Sequence, residues 1–346
     1  MTFLALLVAT PSLARPPDAR LAVLARGVNI TNWFRYPASI DPARLDAYLG
    51  DAAIAGLRAA GFTFVRLALD PALATSPSLP RGLIRLRKAG LGVVVALFPT
   101  DWSLETSAAD QTALRATWAA LVPILRGIDR VNIFPEILNE PVFWQNAPAW
   151  TALQTDLLGR IRAAWPEATI VLTGASWGGI DGLLALPPPA DPNVVFSLHF
   201  YEPTVLTTLG AFEPTLDHKA LAALPFPALP ACVVSPTDAR TKSVAAYYCA
   251  QGWNPAMLSA RIAQAGAWAR KYNAALLAGE FGATAQLNAP ARLAWLTAAR
   301  QAFDTQKIGW ALWGLEDIMG FNLSHPPPAY PVLDSGLLRA LGLASR

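Results

Sequence analysis

The sequence predicts an α/β fold, a single (β/α)8 TIM barrel with a long Pro-rich loop after strand 6. Three observations carry this. Eight short apolar runs alternate with longer stretches of helical spacing. The runs are near-continuously apolar, as strands buried on both faces should be, and strand–helix alternation makes such strands parallel. Eight repeats close most simply into a barrel. The runner-up, a doubly wound open sheet, would want a Gly-rich phosphate loop after an early strand, and neither GxGxxG nor GxxxxGKS/T occurs.

The elements follow in order. The chain opens on "MTFLALLVATPSLARPP", where Phe3 to Ala9 are apolar and "SLA" ends at Ala14 in a small-residue cleavage pattern. Residues 1–15 therefore read as a secretory signal, with a frayed first helix as the alternative. The run is shorter than the ~20 apolar residues of a membrane span, so no stable membrane insertion is expected. Residues 16–346 form one catalytic-size domain, since α/β barrels run long as single domains.

The eight predicted strands are "RGVNITNW" (26–33), "FTFVRLAL" (62–69), "GVVVALFP" (92–99), "VNIFPEIL" (131–138), "TIVLTGAS" (169–176), "VVFSLHFY" (194–201), "ALLAGEFG" (275–282) and "IGWALWGL" (308–315). Between them "LDAYLGDAAIAGLRAAG" (45–61) and "ARIAQAGAWARKYN" (260–273) have helical spacing. Gly61 and Gly90 stand where a helix closes before a strand. Residues 202–256 break the rhythm, being Pro-rich and holding both cysteines, Cys232 and Cys249. They read as an inserted loop. In an exported protein a disulfide would close it; in a cytosolic one the two thiols would stay free. The tail after Phe321 is Pro-rich and ends in the short helix "SGLLRALGL".

With 53% hydrophobic and 15% charged residues, a large core is available and disorder is not expected. The net charge of +3 comes without a Lys/Arg run, so no nucleic-acid partner is expected; an acidic polymer is permitted but not indicated. Two cysteines without a nearby His do not make a zinc site, and no His or carboxylate cluster has metal-ligand spacing. No cofactor or metal is expected. Nothing points to an obligate oligomer, so a monomer is expected.

In a barrel the active site forms at the C-terminal ends of the strands. The polar residues that end the predicted strands are Arg66 on strand 2, Asn139 and Glu140 on strand 4, His199 and Tyr201 on strand 6, and Glu280 on strand 7, with Trp313 on strand 8. Two strand-end glutamates suggest the carboxylate pair of glycosidic-bond hydrolysis, one giving a proton and the other attacking. Arg66 and Tyr201 are the neighbours expected to hold Glu280 as a carboxylate. The apolar frame of "FPEILNEP" predicts that Glu140 is buried and kept protonated until needed. Glu136 reads as a structural partner of Arg66. Rim tryptophans Trp33, Trp102, Trp144 and Trp177 follow predicted strands and offer flat apolar faces to sugar rings.

Together "VRL", "EILNEP", "LHFYEP", "AGEFG" and "WALWGL" resemble glycoside hydrolase family 5, the cellulase-type retaining β-glycosidases, over roughly residues 26–321. The resemblance implies a double-displacement mechanism with Glu140 as acid/base and Glu280 as nucleophile. It implies that Asn139 binds the sugar 2-hydroxyl, that Arg66, His199 and Tyr201 support the nucleophile and reacting sugar, and that Trp313 floors that sugar. One departure stands out: where the family usually carries "DLHP", this chain has "ALFP", so Phe98 replaces a His and Ala96 an acid.

The resulting expectation is a secreted or periplasmic retaining glycoside hydrolase of β-linked polysaccharide or oligosaccharide, foremost an endo-β-1,4-glucanase. A mannanase, a β-1,3-glucanase or a transglycosylase would use the same residues, and a polysaccharide that the producing cell exports is a further substrate. A non-catalytic carbohydrate-binding barrel is the rival of another class.

Overall fold

The computed structural model describes residues 15–229, 232 and 238–343. The expected leader, apart from Arg15, lies outside the described residues.

Eight strands appear where the apolar runs predict them: β1 (Arg26–Phe34), β2 (Phe64–Leu69), β3 (Gly92–Leu97), β4 (Ile133–Glu136), β5 (Ile170–Thr173), β6 (Val194–Phe200), β7 (Ala275–Phe281) and β8 (Gly309–Leu312). They pair in chain order, all parallel, and β8 closes onto β1. Every residue of β2, β3, β6 and β7 is buried, which is why these strands read as unbroken apolar runs. β4 is shorter than its run, yet Ile137 and Asn139 stay tied to neighbouring strands through backbone bonds to Val171 and Leu97.

Alternation along each strand fills the barrel in layers. At the N-terminal end Leu24, Phe64, Val94, Phe134, Val171, Val195, Leu277 and Ala311 form an apolar plug. Two residues further along, the same inward rows present Arg66 and Glu136. Above these lie Ala68, Ala96, Phe98 and Trp313. A separate, larger core fills the space between the outward strand faces and the surrounding helices.

Local chemistry explains the helix boundaries. Asn146, Asn254 and Asn288 each cap a helix whose first turn carries Pro, a pairing of side-chain acceptor and preset φ. Gly61 (φ 106°) and Gly90 (φ 81°) turn the chain left-handed before β2 and β3, as expected. The predicted helix over 45–61 is instead two, Pro42–Ala47 and Asp51–Ala60. Gly50 is extended there and starts the second, with Asp51 in the first turn, where the helix dipole favours an acid.

The described residues of the 202–256 insertion are not plain loop. They include helices Thr204–Thr207, His218–Leu221 and Ala239–Gln251 and the start of Pro255–Tyr272. A disulfide joins Cys232 to Cys249, with Cα atoms 5.7 Å apart. The Asn288 amide donates to Ala222 and Leu224 carbonyls, which fastens the insertion to the segment after β7. Among the described residues no helix is long and apolar enough to cross a membrane.

Candidate active site

The site grows from Arg66. β2 aims this side chain into the barrel, where it is fully buried. All five of its N–H donors have acceptors. Nε and one terminal nitrogen bind Glu136 at 2.7 and 2.8 Å. The other terminal nitrogen binds Asn29 at 3.0 Å and Glu280 at 2.6 Å, and the last donor reaches Asn139 Oδ1 at 2.9 Å. Burial works against the charged guanidinium, but the Glu136 and Glu280 charges outweigh it and hold its pKa above the ordinary value.

Glu280 sits near the end of β7 and is buried. Its second oxygen accepts from the Tyr201 hydroxyl at 2.9 Å. Burial, then the Glu280 and Glu140 charges, push the Tyr201 phenol well up, so it remains a donor. A register shift between Leu198 and His199 sets His199 directly opposite Glu280. His199 Nδ1 lies 2.9 Å from Glu140 Oε1 and 3.5 Å from Glu280 Oε2. Burial alone would lower the imidazole pKa; the two carboxylates more than offset this and raise it.

Glu140 differs from the sequence expectation. Its side chain is 31% exposed, because the apolar frame of "FPEIL" ends at Leu138 and the chain then turns out of the ladder. Its backbone is left-handed at φ 41°, as are Phe143, Ser176 and Trp177 in the same rim region. Such non-glycine strain gathers at functional sites. One oxygen from each of Glu140 and Glu280 and a His199 ring nitrogen lie within 4.8 Å of one another. Linear spacing hid this cluster, since its members come from β4, β6 and β7. They are close enough to share a metal ion, but His199 Nδ1 and both Glu280 oxygens already bond protein partners.

The rim carries the aromatic residues. Backbone bonds from Ser176 and Trp177 to Val142 and Pro141 join the loops after β4 and β5. Glu105, from the loop after β3, accepts from the Trp144 and Gln145 amides. These ties hold the exposed Trp144 and Trp177 rings 5.1 Å apart. A cleft of about 360 Å³ beside Glu140 is lined by Trp102, Glu105, Asn139 and Phe143. A larger cavity of about 550 Å³ opens at the opposite end of the barrel, beside Leu24 and Val195, away from these groups.

Trp313 is buried against Phe98, with ring centroids 5.9 Å apart and planes 25° from parallel. Trp33 is not a rim residue. It is fully buried in the outer core and its indole donates to the Leu45 carbonyl, so it cannot stack on a sugar. Position after a strand did not separate it from Trp144; its place inside β1 did, since inward and outward faces alternate. Sequence reasoning missed Asn29, whose amide donates to the Gly279 carbonyl while its oxygen holds Arg66. A polar residue inside the apolar run "RGVNITNW" was its only signal. It also missed Arg35, which follows β1 and stacks on Phe98.

Endoglucanase 3 of Fibrobacter succinogenes is 28% identical over 95% of this chain; the chain spans about half of that relative's length, 54%. Cellodextrinase A of Ruminococcus flavefaciens is 24% identical over 82% of this chain and 83% of its own length. The crystal structure of an endoglucanase from the hyperthermophile Thermotoga maritima superposes with a TM-score of 0.76 at 22% identity, covering 94% of this chain and 99% of that one, and shows the shared fold. The family described as cellulase (glycosyl hydrolase family 5) matches residues 25–317, most of the barrel, and the chain therefore belongs to that family.

Proposed function

We propose that the chain is a retaining β-glycanase, foremost an endo-β-1,4-glucanase, with Glu140 as acid/base and Glu280 as nucleophile. The observation that carries this reading is the approach of the two carboxylates, within 4.8 Å oxygen to oxygen. Retaining glycosidases keep theirs ~5–5.5 Å apart, whereas inverting enzymes leave ~6.5–9.5 Å for a water. In the first step Glu140 protonates the leaving oxygen as Glu280 attacks the anomeric carbon. In the second, Glu140 takes a proton from water, which releases the sugar from Glu280.

The neighbours support these roles. Arg66 and Tyr201 each bind one Glu280 oxygen, which fixes the orientation of the attacking carboxylate. Arg66 occupies Asn139 Oδ1, which leaves the amide nitrogen to donate to a sugar hydroxyl. His199 bonds the acid/base residue and sits between the two carboxylates. Trp313 floors the reacting sugar, and Trp144 and Trp177 extend the cleft. The Cys232–Cys249 bond supports an exported, oxidising location, with residues 1–15 as leader, 16–346 as one catalytic domain and the monomer as the working form. The Thermotoga relative has been crystallised with mannotriose and with cellobiose, so mannan is the alternative substrate.

The test is product stereochemistry and two variants. Proton NMR of early products from a β-1,4-glucan should show the β-anomer first; the α-anomer would refute retention. Glu140→Gln should lower the rate about 10²–10⁴-fold on a natural glycan. It should lose far less on an aryl glycoside whose leaving group needs no proton. Glu280→Gln should lose activity on both.

A further inference from the structure

Phe98, where the family usually places a His, changes the chemistry of one side of the cleft. It ends the inward row of β3 and stacks on Trp313. Two guanidinium groups approach its ring. Arg66 lies 5.1 Å from the centroid, and Arg35 4.5 Å. Arg35 is also 4.5 Å from the Tyr36 ring and 5.6 Å from that of Trp313.

The two arginines differ in one respect. Arg66 has every donor occupied and two carboxylates beside it. Arg35 is half-buried, and its contacts among the described residues are aromatic faces; its buried Nε has no acceptor. Aromatic packing fixes the plane of a guanidinium without using its N–H groups; the Arg35 Nε is enclosed, so the two terminal nitrogens form the side left for a ligand. A guanidinium fork matches a carboxylate in two parallel hydrogen bonds, and an apolar wall strengthens that pairing by excluding water.

Position adds to this. In a closed eight-stranded barrel β1 lies across the mouth from β5, and β8 from β4. Arg35 is therefore on the Trp313 side, facing Trp177 and Glu140 across the cleft. An anionic polymer entering here meets a net negative charge, since Glu136 and Glu280 share the single counter-charge of Arg66. Arg66 does not compensate, since Glu136 and Glu280 already neutralise it. Arg35 can.

We infer that Arg35 is a specificity-determining residue that binds a carboxylate substituent, such as that of a uronic acid, on a β-linked glycan lying against Phe98 and Trp313. This rests on the glycanase reading. The substrate class is an acidic β-glycan rather than plain cellulose, and the Phe98 side of the cleft is where it is distinguished.

The experiment compares carboxymethyl-cellulose with neutral hydroxyethyl-cellulose, for the full chain and for Arg35→Met and Arg35→Lys. The readout is the ratio of kcat/KM on the two polymers. Arg35→Met should lower the anionic-to-neutral ratio about tenfold, the scale of a lost charge-assisted hydrogen bond. Arg35→Lys should recover part of it, since charge remains but the fork is gone. In the unaltered protein, raising ionic strength from about 0.01 M to about 1 M shrinks the Debye length from ~30 to ~3 Å and should erode the ratio. That measurement needs no variant and stands if Arg35→Met fails to fold. A ratio that neither the substitution nor salt moves overturns the inference and leaves Arg35 as packing for the Phe98–Trp313 stack. If the unaltered protein cleaves neither polymer, the glycanase reading is the one that fails. Arg35 is then judged by calorimetric binding of glucuronate-containing against neutral β-1,4-oligosaccharides: a tenfold loss for the acidic ligand alone upholds its role, and equal affinities refute it.

Discussion

Arg66 holds the floor of the site together, and removing it should destabilise the whole barrel. Arg66→Met keeps the apolar stem but removes five hydrogen bonds. It leaves Glu136, with a side chain 0% exposed, and Glu280, 5% exposed, without their counter-charge. Breaking a buried pair by removing one partner costs about 3–5 kcal/mol, because an uncompensated charge remains inside. An unfolding entropy of about 2.1 cal/mol/K per residue gives a chain of 346 residues roughly 0.7 kcal/mol/K. The expected fall in Tm is then about 4–7 °C. Adding Glu136→Gln removes one stranded charge and should restore part of the loss. The assay is differential scanning calorimetry of unaltered protein, single variant and double variant. A single variant within about 1 °C of the unaltered protein, or a double variant less stable than the single, would refute the account of Arg66 as a shared counter-ion.

Three further outcomes follow from other parts of the structure. The His199 pKa is raised in the folded state, so its stabilising contribution is complete below about 6.5 and is lost as pH rises through the folded value. The Tm gap between the unaltered protein and His199→Asn should therefore be widest in mild acid and close towards alkaline pH; a gap independent of pH counts against it. Replacing Trp177 by Ala removes half of the exposed ring pair and should raise KM for long glycans about 3–10-fold, with a smaller change for a disaccharide glycoside. Equal effects on both would place the ring outside the binding path. The Cys232–Cys249 bond closes a 17-residue separation, worth about 3 kcal/mol in the chain-entropy account, so the double Ser variant should melt about 4 °C lower. No shift would mean that the insertion is held by its other contacts alone.

The barrel was legible because parallel strands buried on both faces leave an unmistakable apolar rhythm. All eight strands stand at the predicted runs, and the family motifs fall at their ends. What sequence reasoning misread depends on direction, which composition does not carry. Trp33 and Trp144 both lie near a strand end, yet one is core and the other 66% exposed. Glu140 looked buried because its apolar neighbours precede it, whereas a turn at φ 41° lifts it to the rim. The Glu140–His199–Glu280 cluster needed the register shift in β6, which leaves no trace in local composition. Gly50 divided a helix whose apolar spacing ran through it, since an extended glycine can start a helix as well as end one.

The layering inside the barrel sets unequal terms for evolutionary change. The Arg66–Glu136–Asn29 layer ties three strands together and, on the proposed reading, also holds the nucleophile, so a substitution there risks both together. One step towards the mouth, the Phe98 ring meets Arg66, and Arg35 packs on Phe98 in turn. On the proposed reading, an exchange at this upper level, a His for a Phe among them, would alter which sugar binds and leave the hydrogen bonds beneath in place. On that reading a vertical separation of about one strand repeat, two residues or ~6.6 Å, divides the selection of substrate from the support of the nucleophile.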